Sequence, residues 1–174
     1  MKIDRTIAED HLYIAVKHLT INGNAAQIFS NLFVVTGVVR VFYIYGIVET
    51  ATLAADVTAC YFDVFPTAGA AVELTKIVAA PAMSSFEVGS GIIKSQEAAQ
   101  IATVLRANVA MFAEEDADFK KVAKPFILGK KSGAVTNVRF VYTTGTDLTE
   151  ETGVIHFEAQ WQPLSSDGAL VPAA

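Results

Sequence analysis

The run Leu32-Phe33-Val34-Val35-Thr36-Gly37-Val38-Val39-Arg40-Val41-Phe42-Tyr43-Ile44-Tyr45-Gly46-Ile47-Val48 decides how this chain folds. Its 17 residues carry one charge, Arg40, near the middle. A helix that crosses a membrane needs about 20 consecutive apolar residues. This run is shorter, is interrupted by Gly37 and Gly46, and is dominated by Val, Ile, Phe and Tyr, which favour strands. It reads as two buried strands with a turn near Thr36-Gly37, and no membrane partner is expected.

The β pattern continues on both sides. Gln27 to Val35 opens the first strand, and Val38 to Thr50 forms a long one that is nearly continuously apolar. Such a run implies burial on both faces, or one face packed on another subunit. Leu53 to Phe65, Ala71 to Val78 and Ser85 to Ile93 follow as strands, separated by Pro66-Thr67-Ala68-Gly69 and Pro81. Near the C-terminus the alternation is strict. Val138, Phe140 and Tyr142 face one way. Ile155, Phe157, Ala159 and Trp161 share a face opposite His156, Glu158, Gln160 and Gln162. This is the mark of half-buried antiparallel strands. Residues 145–153 are expected to join these two strands as a hairpin loop, and Pro163 to end the second, since it has no amide hydrogen to donate.

Two segments are less regular. Residues 1–20 read as an N-terminal arm or a short helix before the turn signal Ile21-Asn22-Gly23-Asn24. At Ser95 a short helical insertion is expected over 95–100, with Glu97 in its first turn. Beyond it, 101–112 alternates as a strand does, although Ile101, Val104, Leu105 and Phe112 would also share a helical face. The expected architecture is all-β: an antiparallel β-sandwich or jelly roll spanning 21–174, with the arm at 1–20.

Composition narrows the function. The chain has 174 residues, 52% hydrophobic and only 18% charged, with a mean hydropathy of +0.41. Soluble domains carry roughly 25% charged residues. With a membrane helix set aside, the deficit points to apolar surface covered by other chains. The net charge is −5. Lys120, Lys121 and Lys124 lie beside Glu114, Glu115, Asp116 and Asp118, so no basic stripe offers itself to nucleic acid. A single cysteine, Cys60, reads as a buried hydrophobe in a protein assembled in a reducing cytoplasm. The N-terminus lacks the apolar core of a signal peptide, so no secretion is expected.

Catalytic motifs are absent from the sequence. There is no G-x-S-x-G elbow, no phosphate-binding G-x-x-x-x-G-K-[ST] and no G-x-G-x-x-G. His11 and His18 lie seven residues apart, not the four that suit a helical metal pair, and His156 falls on the polar face of a strand. They read as surface histidines, with no metal or cofactor expected. Asp147, Glu150 and Glu151 are the carboxylates that a small hydrolase would use, and solvated loop acids otherwise. Tyr43 and Tyr45 share a parity, and Val39, Val41, Tyr43, Tyr45 and Ile47 are the candidate subunit interface, because aromatic side chains are enriched at interfaces.

Three segments together resemble the small virion structural proteins of tailed bacteriophages: Ile28 to Thr50, Phe65 to Leu74 (FPTAGAAVEL), and Trp161 to Val171 (WQPLSSDGALV). The stretch 95–131 departs from that pattern by being longer, more charged and rich in Ala. The resemblance implies a β-sandwich or jelly-roll subunit without catalytic residues. It implies a capsid decoration, head accessory or fibre-base protein, often a homotrimer, bound to the major capsid protein or other virion proteins at the capsid surface. The alternative it leaves open is a tail or fibre module that binds a receptor or carbohydrate.

Overall fold

The computed structural model describes residues 12–22, 27–50, 57–67, 72–76, 88–93, 104–105, 125–130, 134–144 and 153–174. Among them are eleven strands and no helix: β1 Tyr13–Ile21, β2 Gln27–Thr36, β3 Val38–Thr50, β4 Val57–Pro66, β5 Val72–Lys76, β6 Gly91–Ile93, β7 Val104–Leu105, β8 Phe126–Gly129, β9 Thr136–Thr144, β10 Gly153–Pro163 and β11 Ala169–Pro172. The protein is all-β, and every strand pairing is antiparallel.

The strands form two sheets. The first runs β1-β10-β3-β6-β7, with β8 also beside β3; the second runs β11-β2-β9-β4-β5. Four pairs nest inside one another: β1 with β10, β2 with β9, β3 with β6 and β4 with β5. The chain is thus one long antiparallel ribbon folded back on itself. Two further pairings, β10 with β3 and β9 with β4, close the ribbon laterally.

The 32–48 run crosses between the sheets. β2 and β3 are separated by Gly37 alone, at φ 57°, so the chain kinks out of one sheet directly into the other. Both halves turn apolar side chains to one core: Leu32, Phe33 and Val35 from β2, and Val39, Val41, Ile44 and Val48 from β3. Its continuous hydrophobicity does not mean burial on both faces. Val38 and Arg40 are exposed, while Tyr43, Tyr45 and Ile47 are half-buried on the outer face. The apolar run reflects a change of sheet, not a doubly covered strand.

The core joins the sheets through aromatic rings. Phe157 of β10 lies edge-on to Phe62 of β4, with centroids 6.0 Å apart, and 5.0 Å from Phe140 of β9. Its register partner is Gly46, where a Cβ would lie 2.6 Å from the Phe157 ring. The missing side chain at 46 is the space that ring occupies. The strict alternation in β10 holds: Ile155, Phe157, Ala159 and Trp161 are all buried in the core.

Two expectations need correction. β9 and β10 do not form a hairpin, because they lie in different sheets. Both strands show the same apolar alternation because both face the one core, and alternation is blind to which sheet a strand joins. Tyr13–Ile21 is not a short helix; it is an extended segment docked on the chain's own body, paired with β10 along its whole length, from Tyr13 opposite Trp161 to Ile21 opposite Gly153. Ala15 and Ile21 give it an inward face. Val104–Leu105, within the ambiguous 95–123 segment, is a short strand beside β6. The helical insertion at 95–100, the arm residues 1–11 and the loop acids Asp147, Glu150 and Glu151 lie outside the described residues. The strand Phe126–Gly129, beside the start of β3, had no clear sequence signal.

On the outward side of the second sheet, Arg139 and Asp63 are register partners on β9 and β4. The guanidinium donates twice to the carboxylate, Nε to Oδ1 at 2.8 Å and Nη2 to Oδ2 at 2.5 Å. It also lies over the rings of Phe29 and Phe65, at 4.7 and 4.3 Å. The Asp63 side chain is only 2% exposed. Removing one partner of a buried pair leaves the other charge uncompensated.

The Gly37 kink is locked from outside by the segment after β10. The Ser165 hydroxyl accepts from the Val38 amide (2.8 Å), and the Leu164 amide donates to the Val38 carbonyl (2.8 Å). The Ser165 hydroxyl also donates to Asp167 Oδ1, whose other oxygen takes the Lys130 ammonium at 2.7 Å. A Cβ at Gly37 would sit 2.5 Å from both Ser165 Oγ and Asp167 Oδ1.

These contacts fix three outcomes. Gly37→Ala lowers stability by about 1–3 kcal/mol from the left-handed backbone alone, and further by collision with Asp167; urea unfolding reads the loss. Asp63→Ala or Arg139→Ala costs about 3–5 kcal/mol each, and the double variant costs much less than their sum. Burial pushes the Cys60 thiol up to about 12. Its neutral form therefore dominates to high pH, and Ellman's reagent labels it at pH 8 only at the rate of unfolding. The sign follows from the raised value: this burial favours folding below the unfolded thiol pKa of about 8.5 and loses its effect as pH climbs toward the folded one.

Candidate functional site

The outer face of the first sheet carries a cluster of polar and aromatic side chains from β1, β3 and β10. On β10 the residues opposite the core-facing set are His156, Glu158, Gln160 and Gln162. Their neighbours are set by register. His156 lies opposite His18 of β1 and Ile47 of β3, and Glu158 lies opposite Val16 of β1 and Tyr45 of β3.

Two irregularities in the β10–β3 pairing shape this face. Gln160 is opposite Tyr43 but Trp161 is opposite Val41, so Phe42 is an extra residue. Likewise Ile155 is opposite Val48 and Val154 opposite Thr50, so Glu49 is extra. A bulge bends its strand and re-aims a side chain. The first bulge switches the parity of β3. Val39 and Val41 are fully buried in the core, whereas Tyr43, Tyr45 and Ile47 are half-buried on the outer face. The five candidate interface residues share odd numbers but not a face. The second bulge turns the Glu49 carboxylate onto the histidine pair, with the Thr50 hydroxyl accepting the Val154 amide at 2.9 Å beside it.

The resulting cluster is compact. His18 Nδ1 lies 2.9 Å from Glu49 Oε2, and His156 Nδ1 lies 3.7 Å from Glu49 Oε1. The two imidazoles meet edge to face with centroids 4.8 Å apart. His156 Nε2, the other ring nitrogen, is 3.8 Å from Glu158 Oε2. Glu158 is hydrogen-bonded in turn to the Tyr45 hydroxyl, and burial together with that carboxylate pushes the Tyr45 phenol well above its ordinary value. Burial, and then the Glu158 charge, also raise Tyr43, whose ring lies 5.6 Å from that of Tyr45. A continuous network thus runs from Tyr45 through Glu158 and His156 to Glu49 and His18.

The three strands bring together residues that are remote in sequence. In the sequence the histidines read as surface residues, because His11 and His18 lie seven apart and His156 falls alone on the polar face of a strand. The signal that pointed here was the polar face of β10, where His156 and Glu158 stand two apart on one side of a strand. Trp161, by contrast, is buried with its ring 4.8 Å from that of Tyr13. The chain matches no protein-family model, no curated protein and no solved structure.

Proposed function

We propose that this chain is a non-enzymatic virion structural subunit, a capsid decoration or head accessory protein of the tailed-phage kind, which works as a homotrimer on the capsid surface. The observation that carries the reading is the strand order. Lettered B to I in chain order, β1, β2, β3, β4, β5, β6, β9 and β10 fall into sheets B-I-D-G and C-H-E-F. That order supports reading the fold as a jelly roll, an architecture of which viral shell proteins are prominent users. The step from topology to role is fold analogy, joined to the resemblance of three segments to phage virion proteins.

Exposed apolar side chains favour assembly. Val38, Ile127 and Leu164 stand exposed at one end of the first sheet, where β8 pairs with the start of β3. Leu12 and Ile14 lie at edge strand β1, and Val171 on edge strand β11. Unpaired edges with apolar side chains invite pairing with another chain unless one covers them. Closed symmetry lets identical patches cover one another. Hiding apolar surface contributes about 25 cal/mol per Å², less the cost of association. The capsid partner would be the major capsid protein, and the site of action the virion. The paired rings of Tyr43 and Tyr45 on the outer face favour one second reading, a carbohydrate-binding module of a tail or fibre.

Light scattering coupled to size exclusion decides the first reading. The expected mass at micromolar concentration is that of a trimer, and Val38→Asp with Ile127→Asp reduces it to a monomer that keeps its thermal transition. A wild-type chain that stays monomeric overturns the proposal. Binding on a glycan array that is lost in Tyr43→Ala and Tyr45→Ala would instead establish the second.

A further inference from the structure

We propose that His18, Glu49 and His156 form a binding site for a divalent transition metal, with zinc as the ion of choice. The inference rests on the geometry of the outer face and not on the virion reading. One donor atom from each residue, two imidazole nitrogens and a carboxylate oxygen, lies within 4.8 Å of the others. Zinc bound at about 2.0–2.1 Å in tetrahedral geometry places its ligand atoms roughly 3.4 Å apart. The two imidazoles approach different oxygens of the Glu49 carboxylate, His18 Nδ1 at 2.9 Å from Oε2 and His156 Nδ1 at 3.7 Å from Oε1, so a small rotation of that carboxylate brings one oxygen to ligand spacing from both. The histidine pair closes the rest by side-chain rotation, which the exposure of His18 permits.

Two features separate this cluster from a chance meeting of surface charges. The first is the bulge at Glu49. The extra residue of the bulge carries its carboxylate beside two imidazoles that are directly paired across β1 and β10, so three strands converge on one point. The second is the support behind His156. Its Nε2 faces Glu158 while its Nδ1 faces Glu49. A metal-ligating histidine typically gives its other ring N–H to a carboxylate, which fixes the tautomer and raises the basicity of the ligating nitrogen. Glu158 stands where that partner belongs, and the Tyr45 hydroxyl holds Glu158 in turn. Glu158 is therefore a positioning residue.

The donor set selects the class of ion. Two imidazoles with one carboxylate suit borderline metals such as zinc, whereas calcium and magnesium prefer all-oxygen shells. Three protein ligands leave one position for water or for a donor from outside the chain. Bound metal would clip β1, the end strand of the first sheet among the described residues, to β10 and β3, and so stabilise that sheet.

The test is titration of zinc chloride into tag-free, metal-free protein, read by calorimetry and by the thermal transition. The expected result is one equivalent per chain and a melting temperature that rises with zinc. His18→Ala and His156→Ala abolish both, and Glu158→Gln weakens zinc by about 10–100-fold while leaving the stoichiometry intact. Cobalt(II) in place of zinc gives the intense visible bands of a tetrahedral site, a signature that a purely structural role for these residues would not produce. Absence of saturable binding overturns the proposal. So does binding that survives both histidine substitutions, or binding that calcium displaces as well as zinc does. Each variant's metal-free melting temperature, matched to the wild type, separates lost ligation from lost folding.

Discussion

The contact between the Phe157 ring and the bare backbone at Gly46 is the constraint on which the two-sheet arrangement turns. Gly46 lies directly opposite Phe157 in the pairing of β3 with β10, and any side chain there would occupy the ring's position. The ring consequently lies against β3 and still reaches Phe62 and Phe140 on the opposite sheet. Close packing of this kind leaves little room for adjustment, because a core at crystal-like density transmits any change in volume to its neighbours. The aromatic cluster of Phe157, Phe62 and Phe140 packs the two sheets against each other.

Two bulges then convert a regular sheet into a differentiated surface. Phe42 shifts the parity of β3, sending Val39 and Val41 inward and Tyr43, Tyr45 and Ile47 outward. Glu49 delivers a carboxylate to the His18–His156 pair. The same sheet presents a packed inner face and an outer face with an organised polar network. The second sheet meets a different problem on its outward side, where a nearly inaccessible carboxylate is matched by a guanidinium held between two aromatic rings. Such a pair adds little net stability over apolar residues of similar size. Its contribution is to register, since it forms only when β4 and β9 are correctly aligned.

The proposed role as a repeating subunit draws on the apolar side chains exposed at strand ends and edges. An all-β fold of two antiparallel sheets is equally compatible with lectins and small-molecule binders, so the surface chemistry carries the functional argument. Exposed valine, isoleucine and leucine at the strand ends speak for self-association. The histidine–carboxylate network on the outer face is a separate element, and a metal there would tie β1 to β10 and β3.

Local pattern alone was enough to establish the all-β class, the Gly37 break, the limits of Val38–Thr50, the inward set Ile155, Phe157, Ala159 and Trp161, and the burial of Cys60. Each depends on period-two alternation, on the conformational freedom of glycine or on side-chain polarity, all of which act within a few residues. Strand partnership was beyond its reach. Nothing near Thr144 or Gly153 distinguishes a hairpin from a crossing between sheets, and a weakly patterned segment such as Tyr13–Ile21 becomes a strand only when β10 supplies its hydrogen bonds. The His18–Glu49–His156 cluster was hidden for the same reason: its members come from three strands, and one of them is aimed by a bulge that exists only as a mismatch between two paired chains. Alternation specifies which way a side chain points, whereas the company it keeps is decided by register, a property of the folded whole.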